Sequence, residues 1–557
     1  MIRVLQIFLI ISGLWATSAY SQISLEWVAR YNGSGDSIDV ANDIAVDDGG
    51  NVYVTGYSTS LLGLATDYTT IKYDSNGNQL WVATYNGPAS LFDEANAIAV
   101  DDSGNVYVTG FSYGLLTLSL SDYATIKYDP DGNEVWVKRY NGSLLGEDVA
   151  TDIIIDSQGD IIITGYSSAL LGSRNFVTIK YSSSGAELWT ASYNGPANSE
   201  DMAYALAEDG NGYVYVVGHS NSNFLLGNPD YALVKYSISD GSEQWVRRYN
   251  GPGNSTDKAY AIVVDNSDNV IITGESRSSS SIDYATVKYN PAGTQQWVRR
   301  YNGPGNNTDK AYAIIVDNSD NVIVTGESRN SQNEDYATIK YNPAGTEQWV
   351  RRYNGPGNGT DKAYAIVVDN SDNVLVTGAS DSTSTAEDYT TVGYDPAGNQ
   401  IFETRYNGPG NSTDKAYAIV VDDSDNFYIT GGSRSGLLLA SEDYATVKYS
   451  SKSTVTNIQN NEPFNYSLSQ NFPNPFNPVT NIKFSISKNS NAKIVVYNFL
   501  GMAVDEYSYT GIAPGLYDLK WDASGKASGL YFYKIIVNDA STGEKVFEEV
   551  RKMVLIK

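Results

Sequence analysis

The stretch DEANAIAVDDSGNVYVTG, residues 93–110, decides the fold of this 557-residue chain. Its two apolar runs, residues 95–100 and 106–109, are short and rich in Ala, Val and Ile, and an Asp-Ser-Gly-Asn turn separates them. Apolar runs of this length bounded by Asp, Gly and Asn are typical of a β-hairpin. The stretch therefore predicts two antiparallel strands, the first of them lined by alanine.

This hairpin recurs along the chain as part of a longer unit. The pattern W-x-x-x-Y-N-G precedes each copy, and its first residue is Trp27, Trp81, Trp136, Trp189, Trp245, Trp297, Trp349 or, in the last copy, Phe402. Successive copies are 52 to 56 residues apart, and each usually closes with D-Y-x-T-[IV]-K-Y. Each unit thus predicts four strands, and none of the runs has the 3.6-residue period of a helix.

Four antiparallel strands repeated about every 50 residues indicate an all-β fold, an eight-bladed β-propeller. The alanine strand is predicted to be innermost, because small side chains fit where blades crowd the axis, and the tryptophan strand outermost. On this order the chain begins with an outer strand and ends its repeats on a third strand. The first strand would then complete the last blade and leave no free sheet edge. A seven-bladed ring with one additional unit is the alternative.

Composition narrows the classes of function. The chain has no Cys, one His (His219) and a net charge of −27. These numbers exclude disulfides, thiolate metal sites and Cys nucleophiles, and they disfavour a Ser-His-Asp hydrolase. The negative charge argues against nucleic acid or an anionic membrane as partner. Because residues 464–557 hold ten basic and eight acidic side chains, the negative charge belongs to the repeats.

The N-terminus has the features of a signal peptide over residues 1–21. Arg3 supplies the positive charge, residues 4–14 are apolar, and small residues stand at positions 19 and 21, so cleavage is expected before Gln22. No later stretch is apolar for long enough to cross a bilayer as a helix, so we expect no transmembrane helix in the mature chain. The propeller is predicted over residues 22–450.

The chain changes character after residue 450. Residues 451–463 are polar and without apolar periodicity, which predicts a linker. Residues 464–557 contain short alternating runs separated by Gly, Pro and Asn, as a small β-sandwich requires. A second, smaller β domain is therefore expected at this end.

The C-terminal domain closely resembles the type A C-terminal sorting domain of the type IX secretion system. The resemblance rests on NPFNP at 474–478, YNFLG at 497–501, Trp521-Asp522, SGLY at 528–531 and Lys552-Met553. It implies an Ig-like sandwich that the outer-membrane translocon and sorting machinery recognise, with export through the periplasm to the medium or the outer cell surface. The sorting residues that it implies are Asn474, Pro475, Asn477, Pro478, Gly501, Gly529, Tyr531 and Lys552.

The repeats in turn resemble the SBBP β-propeller repeat. The resemblance is carried by D-x-A-x-A-I-x-V-D-x-x-G-N-V-Y-V-T-G, which stands at residues 93–110. It implies the propeller fold and no particular activity.

One aspartate stands at the start of the inner strand in every unit. These residues are Asp39, Asp93, Asp148, Asp201, Asp257, Asp309, Asp361 and Asp414. If their side chains face the channel, they form an acidic ring suited to Ca²⁺, a basic peptide or an amine. The alternative is that each carboxylate hydrogen-bonds the backbone of its own turn.

A second set of eight aspartates, Asp101 among them, follows the inner strand in turns that hint at calcium loops. These turns lack the bidentate Glu of such loops and fit ordinary hairpins equally well. We therefore expect no metal site and no cofactor, with Ca²⁺ the one candidate. His219 is an exception confined to a single blade, which is either drift or part of an asymmetric site.

No catalytic constellation is identified, so the leading hypothesis is a non-enzymatic propeller, secreted or on the cell surface, that binds a glycan or a protein. One alternative is an extracellular hydrolase or lyase that acts on polysaccharide with carboxylates and Ca²⁺, since such chemistry needs only two carboxylates. The other alternative is a structural component of surface adhesion.

Overall fold

The structure of the protein, a computed structural model, describes residues 22–35, 37–60, 65–114, 120–142, 146–168, 173–223, 227–383, 386–435, 441–452, 466–523 and 525–556. The predicted signal peptide and residues 453–463 of the predicted linker lie outside these residues. The chain divides into two compact units, one over Ile23–Ser450 and one that contains Ser451–Lys557. The described residues form 39 β-strands and no helix.

The first unit consists of eight four-stranded antiparallel sheets, called blades 1 to 8. The strands are given in sheet order. Blade 1 contains β2 Asp39–Val46, β3 Val52–Thr59, β4 Thr66–Tyr73 and β5 Gln79–Tyr85, and blade 2 contains β6 Asp93–Val100, β7 Val106–Tyr113, β8 Ser121–Tyr128 and β9 Glu134–Tyr140. Blade 3 contains β10 Asp148–Ile155, β11 Ile161–Ser168, β12 Arg174–Tyr181 and β13 Glu187–Tyr193, and blade 4 contains β14 Asp201–Glu208, β15 Tyr213–Asn221, β16 Pro229–Ser237 and β17 Glu243–Tyr249. Blade 5 contains β18 Asp257–Val264, β19 Val270–Arg277, β20 Ile282–Tyr289 and β21 Gln295–Tyr301. Blade 6 contains β22 Asp309–Val316, β23 Val322–Arg329, β24 Glu334–Tyr341 and β25 Glu347–Tyr353. Blade 7 contains β26 Asp361–Val368, β27 Val374–Asp381, β28 Glu387–Tyr394 and β29 Gln400–Tyr406. Blade 8 contains β30 Asp414–Val421, β31 Phe427–Arg434, β32 Glu442–Lys452 and, from the other end of the unit, β1 Gln22–Tyr31.

The alanine strands are innermost, as predicted. Asn42 on β2 donates through Nδ2 to the Ala95 carbonyl on β6, and Asn96 on β6 donates to the Ala150 carbonyl on β10, at 2.8 and 2.7 Å. First strands of successive blades therefore touch each other. The fourth strands lie at the opposite edge of each sheet and carry exposed apolar side chains such as Leu80.

Every innermost strand carries a β-bulge at the same position. In blade 6, Ala311 lies opposite Gly326 and Ala313 lies opposite Thr325, so that Tyr312 between them has no partner across the ladder. A Cβ on Gly326 would lie 1.9 Å from the Lys310 carbonyl oxygen. The glycine of the repeated Thr-Gly or Val-Gly pair is therefore what lets the bulge press against the second strand.

Buried tyrosines on the third strands join neighbouring blades. The Tyr68 hydroxyl donates to the Ala124 carbonyl of blade 2 at 3.0 Å, and the Tyr444 hydroxyl of blade 8 donates to the Thr69 carbonyl of blade 1 at the same distance. Since buried hydroxyls need partners, these bonds explain part of the high tyrosine content. The first strand pairs with β32, as predicted, so the first and last repeats share one sheet.

The second unit is a sandwich of two antiparallel sheets. Its strands are β33 Ser467–Leu468, β34 Val479–Ile486, β35 Ser490–Asn498, β36 Ala503–Ile512, β37 Gly515–Asp522, β38 Gly529–Asp539 and β39 Lys545–Leu555. One sheet has the order β33-β34-β37 and the other β36-β35-β38-β39. Phe484, Ile494, Trp521 and Tyr533 are buried in one cluster between them, which agrees with the predicted small β domain.

Candidate binding face of the propeller

The eight bulge residues form a ring on the innermost strands. Each is half-buried and lies between two residues that pair regularly with the second strand. They are Asn42, Asn96, Thr151, Tyr204, Tyr260, Tyr312, Tyr364 and Tyr417. A bulge redirects the side chain of the extra residue. The repeat therefore places one such side chain from each blade at the same position along the propeller axis.

Five consecutive blades contribute aromatic rings to this set, here called the tyrosine arc. It consists of Tyr204, Tyr260, Tyr312, Tyr364 and Tyr417. The centroids of neighbouring rings are 5.5, 6.0, 6.0 and 5.6 Å apart, and the rings are tilted at 37–57°. These are the distances of aromatic rings in contact, so the arc is one continuous aromatic surface across blades 4 to 8.

The other three blades are polar at this position. The side-chain amides of Asn42 and Asn96 donate hydrogen bonds to backbone carbonyls of the next blade, and the Thr151 hydroxyl lies 3.2 Å from the Ala203 carbonyl of blade 4. Their hydrogen-bonding capacity is thus partly taken up within the ring. The eightfold repeat therefore has a marked asymmetry, which sequence spacing alone did not show.

Ion pairs between neighbouring blades border the arc. Lys310 Nζ lies 3.2 Å from Glu275 Oε2, and Lys362 Nζ lies 2.8 Å from Glu327 Oε2. Tyr312 of the arc also hydrogen-bonds Glu327, and burial together with this carboxylate raises the pKa of its hydroxyl. The arc therefore presents neutral hydroxyls beside paired charges.

His219 lies at one end of the tyrosine arc. Its ring centroid is 5.5 Å from that of Tyr204, and its Nε2 is 3.6 Å from Glu200 Oε1. Burial lowers the pKa of the imidazole, so it is neutral near pH 7. The exception noticed in the sequence thus falls at the boundary between the polar and aromatic parts of the ring.

Two further aspartates distinguish blades 1 and 3, and the sequence interpretation missed them. Asp43 and Asp152 follow the bulge at a position where the other blades have alanine. Each accepts one bond from the next residue and one from the following blade, Asp43 from Ile98 N at 2.9 Å and Asp152 from Leu206 N at 2.8 Å. Burial raises the pKa of Asp43 to about 6 and that of Asp152 to about 7.

The aspartates that were expected to form an acidic ring are buried. The side chains of Asp39, Asp93, Asp148, Asp201, Asp257, Asp309, Asp361 and Asp414 belong to residues that are 0–1% exposed. In every blade Oδ2 accepts a bond of 2.7–2.9 Å from the backbone N–H of a glycine six residues earlier. The acidic-ring interpretation is therefore wrong. Each carboxylate hydrogen-bonds the loop that precedes its own strand, whereas a ring that lined the channel would require these side chains to be exposed to water.

The second set of aspartates caps hairpin turns. Asp101, for example, accepts bonds from the backbone N–H groups of Ser103 and Asn105 and from the Tyr107 hydroxyl. This is the ordinary hairpin interpretation. Within the described residues, no three His, Cys, Asp or Glu side chains come together in a way that could hold a metal ion.

In six of the eight blades a network connects the inner aspartate to the outer strand. In blade 2, Asp93 hydrogen-bonds Ser112 on the second strand. Arg139 on the fourth strand donates to Ser112 Oγ at 2.6 Å, to the Ser112 carbonyl at 2.8 Å and to Asp122 Oδ2 at 2.7 Å. Its Nη1 also donates to the hydroxyl of Tyr85 in the preceding blade, at 3.1 Å. We call this arrangement the arginine seat.

The residues of the predicted sorting signal are spread over the C-terminal sandwich. The backbone N–H of Val554 donates to Asn474 Oδ1 at 2.9 Å, and Tyr531 packs on the buried Trp521 with ring centroids 5.5 Å apart. Gly501 has φ +77° in the turn after β35. The remaining residues, Pro475, Asn477, Pro478, Gly529 and Lys552, are exposed or half-buried.

The turn at Gly501 exposes three apolar side chains. Phe499, Leu500 and Met502 are 71, 65 and 55% exposed. Adjacent exposed apolar side chains mark contact surfaces on soluble domains. We therefore predict that the double substitution Phe499→Ser, Leu500→Ser leaves the stability of the sandwich within about 0.5 kcal/mol but retains the chain inside the cell.

The measurement for this prediction is the distribution of the protein between cells, cell surface and medium, by immunoblot. Val550→Ser, which removes another exposed apolar side chain of the same unit, is the control and should be exported normally. Normal export of the double variant would show that this turn is not recognised.

Two family models match the chain. Residues 470–549 match the secretion system C-terminal sorting domain, and residues 14–282 match the family described as outer membrane protein assembly factor BamB. An uncharacterized WD repeat-containing protein of Acanthamoeba polyphaga mimivirus is 27% identical over 237 residues, 33% of this chain. The match spans only 17% of the length of that relative.

The solved structures that match the chain include a propeller. The β-propeller domain of the Trilobed protease from Pyrococcus furiosus is 8% identical over 65% of this chain and 95% of that one, with a TM-score of 0.38. A fungal alcohol oxidase of the AA5 family, in complex with copper, is 11% identical over 96% of this chain and 100% of that one, with a TM-score of 0.40. The fold assignment rests on the strand topology given above.

Together, the repeated four-stranded sheets and the sorting domain define the class of the protein, an exported β-propeller protein. Its C-terminal unit is a type IX sorting domain, so the type IX secretion machinery is its partner during export and its destination is the outer cell surface or the medium. In the part of the chain that the structure describes, no helix is long and apolar enough to cross a membrane.

Proposed function

We propose that the propeller is a non-enzymatic binding protein that holds an extracellular glycan on the tyrosine arc. The observation that carries the proposal is the continuity of the five half-buried rings across blades 4 to 8. Tyrosine offers a rigid, amphipathic contact surface at low cost in side-chain entropy. A row of tyrosine side chains is therefore well suited to a recognition face.

The repetition of the arc favours a repetitive ligand. One ring is presented by each blade, with centroids 5.5–6.0 Å apart. A polymer of similar sugar units can contact several rings at once, and each added contact is intramolecular once the first has formed. A glycan chain fits this arrangement better than a folded protein surface, whose side chains do not repeat.

The polar groups around the arc would supply the hydrogen bonds. The Tyr312 hydroxyl is neutral and lies beside the Lys362–Glu327 pair, and the polar blades carry Asn42 and Asn96 at the same level of the axis. Apolar faces with a few placed polar groups are the usual composition of ligand sites. A neutral or cationic glycan is favoured, because the repeats carry the chain's negative charge.

A glycan array probed with the full chain, followed by calorimetry on the hits, tests the proposal. Tyr312→Ala, at the centre of the arc, is expected to weaken the affinity for the best glycan about tenfold. Its loss removes a ring that touches both Tyr260 and Tyr364. The double variant with Tyr364→Ala should bind more weakly still.

Tyr113→Ala is the matched control, since Tyr113 is a half-buried tyrosine outside the ring and packs on Phe92. It should bind as the unchanged chain does. An array without hits, or equal affinity of the arc variants and the control, would contradict the proposal and direct attention to a protein ligand.

A hydrolase or lyase is the second candidate, favoured by the two aspartates that break the repeat. The raised pKa of Asp152, about 7, is suited to general acid–base work. Both its oxygens already accept backbone bonds, from Ile153 and Leu206, which favours a structural role. Cleavage of an array glycan that stops in Asp152→Asn would reverse the ranking.

We infer that the units are SBBP-type repeats, because in the stretch 93–110 Asp93 holds its loop and Gly110 lies opposite Ala95 at the bulge. We further propose the boundaries 1–21, 22–450, 451–463 and 464–557 for signal peptide, propeller, linker and sorting domain.

A further inference from the structure

Six of the eight blades fill the arginine seat from their own fourth strand. The residues are Arg30 in blade 8, Arg139 in blade 2, Arg248 in blade 4, Arg300 in blade 5, Arg352 in blade 6 and Arg405 in blade 7. In each case the guanidinium meets a serine of the second strand, an aspartate of the third strand and a tyrosine of the preceding blade. The geometry of guanidinium binding is thus repeated six times in this chain.

Blade 1 has the seat without the arginine. Ser58 and Asp67 stand where blade 2 has Ser112 and Asp122, and they pair across the sheet in the same register. Thr84, opposite Thr69, replaces the arginine. The tyrosine of the preceding blade is present as Tyr31, whose hydroxyl hydrogen-bonds the Ser58 side chain directly.

The seat of blade 1 is more exposed than the filled seats. Ser58 is 7% exposed, whereas the corresponding serines of the six arginine-filled blades are completely buried. Asp67 is half-buried and Thr84 is exposed, whereas the aspartate of a filled seat, such as Asp283, is 5% exposed. The guanidinium and stem of the missing arginine would cover this surface.

Two groups of the seat lack the partner that a filled seat supplies or makes unnecessary. Asp122 of blade 2 pairs with Arg139, whereas among the described residues Asp67 has no ion-pair partner. The hydroxyl of Thr69, a completely buried residue, also forms no hydrogen bond with a described residue. Thr69 lies two residues from Asp67 on the same face of β4 and directly opposite Thr84. Buried polar groups without partners are costly, and blade 2 has Ala124 at the Thr69 position. The unpaired carboxylate and this hydroxyl give the seat of blade 1 unused capacity for a cationic donor.

Blade 3 has neither charged group of the seat. There Ser192 replaces the arginine, and Asn175 replaces the aspartate. Ser167 is 8% exposed, about as much as Ser58 in blade 1, but its partner on the third strand is an amide, not a carboxylate. Among the described residues, blade 1 alone keeps the anionic group of the seat without its cation.

We propose that the seat of blade 1 binds a guanidinium group supplied by a ligand, such as an arginine side chain. The incoming group takes the place that Arg139 has in blade 2, with Asp67, the Ser58 carbonyl and hydroxyl, and the Tyr31 hydroxyl as acceptors. A planar guanidinium satisfies several acceptors at once, which a single ammonium does not. The ligand enters beside Thr84, at the outer surface of the blade.

Calorimetric titration of the full chain with ethylguanidinium tests the proposal, with ethylammonium as the comparison. One guanidinium per chain is expected, because the other carboxylate seats are filled, and ethylammonium should bind at least tenfold more weakly. Asp67→Asn should weaken guanidinium binding at least tenfold. Thr84→Arg should abolish it by filling the seat from within.

Ser192→Arg in blade 3 is the matched control, since it adds an arginine at the same position opposite an amide, and it should leave binding unchanged. A short peptide with one arginine distinguishes the sources of the group: tighter binding than ethylguanidinium assigns the seat to a polypeptide, and equal binding assigns it to small guanidines. Absence of saturable binding, or unchanged binding in Asp67→Asn, overturns the proposal even if Thr84→Arg does not fold.

Discussion

Replacing Gly326 with alanine is expected to lower the free energy of unfolding of the propeller by about 3 kcal/mol or more. The added Cβ would lie 1.9 Å from the Lys310 carbonyl oxygen and 3.0 Å from the Ala311 Cα, both backbone atoms. Neither can rotate away, so the second strand must move from the innermost strand or the bulge at Tyr312 must flatten. Either change also displaces one ring of the tyrosine arc.

Chemical denaturation and hydrogen exchange of blade 6 measure this effect. Gly210→Ala is the control, because a Cβ there meets only Asp268 Oδ1, at the ordinary distance of 3.6 Å. It should cost less than about 1 kcal/mol. Equal destabilisation by the two substitutions would mean that the glycine is not required by the close approach at the bulge.

The fold could be predicted from the sequence because its determinants are local and repeated. Short Val-, Ile- and Tyr-rich runs between Asn, Asp and Gly turns define the strands eight times. The small Ala41, Ala95 and their equivalents predicted the inner edge, since only small side chains fit there. The sorting domain was found through its motifs, such as the stretch 474–478.

The candidate site could not be predicted in the same way, because a bulge is a property of strand pairing. In A-x-A the sequence shows a regular alternation, and nothing marks Tyr312 as the extra residue until Ala311 and Ala313 are paired with Gly326 and Thr325. The aspartate ring failed for a related reason. From the sequence, a carboxylate such as Asp309 at the start of a strand is equally able to line a channel or to hydrogen-bond its own loop. The structure shows the second arrangement, because the backbone N–H of Gly303 donates to Asp309.

The differences among the arginine seats were present in the sequence but had no meaning without pairing. Asp67 with Thr84, and Asn175 with Ser192, look like unrelated substitutions some 17 residues apart. The structure places each pair in one seat. In blade 3 both the acid and the base of the seat are replaced by neutral residues, whereas blade 1 keeps the acid alone.

Arg300→Ser is therefore expected to destabilise the propeller by about 3 kcal/mol, and the double variant Asp283→Asn, Arg300→Ser by only about 1–2 kcal/mol. Arg300 Nη2 lies 2.7 Å from Asp283 Oδ2, and the Asp283 side chain is only 7% exposed. Removing the guanidinium alone leaves a buried carboxylate without its cation, although the Ser281 hydroxyl still donates to Oδ1. An unpaired buried charge costs more than the pair contributes when intact.

The asparagine removes that charge and reproduces the composition of blade 3, where Asn175 and Ser192 stand together in a formed sheet. Urea denaturation of both single variants and the double variant gives the coupling energy as a double-mutant cycle. A strong favourable coupling is expected, because Asp283 is costly only when Arg300 is absent. If the two substitutions were simply additive, the seat would contribute through packing and neutral hydrogen bonds rather than through its ion pair.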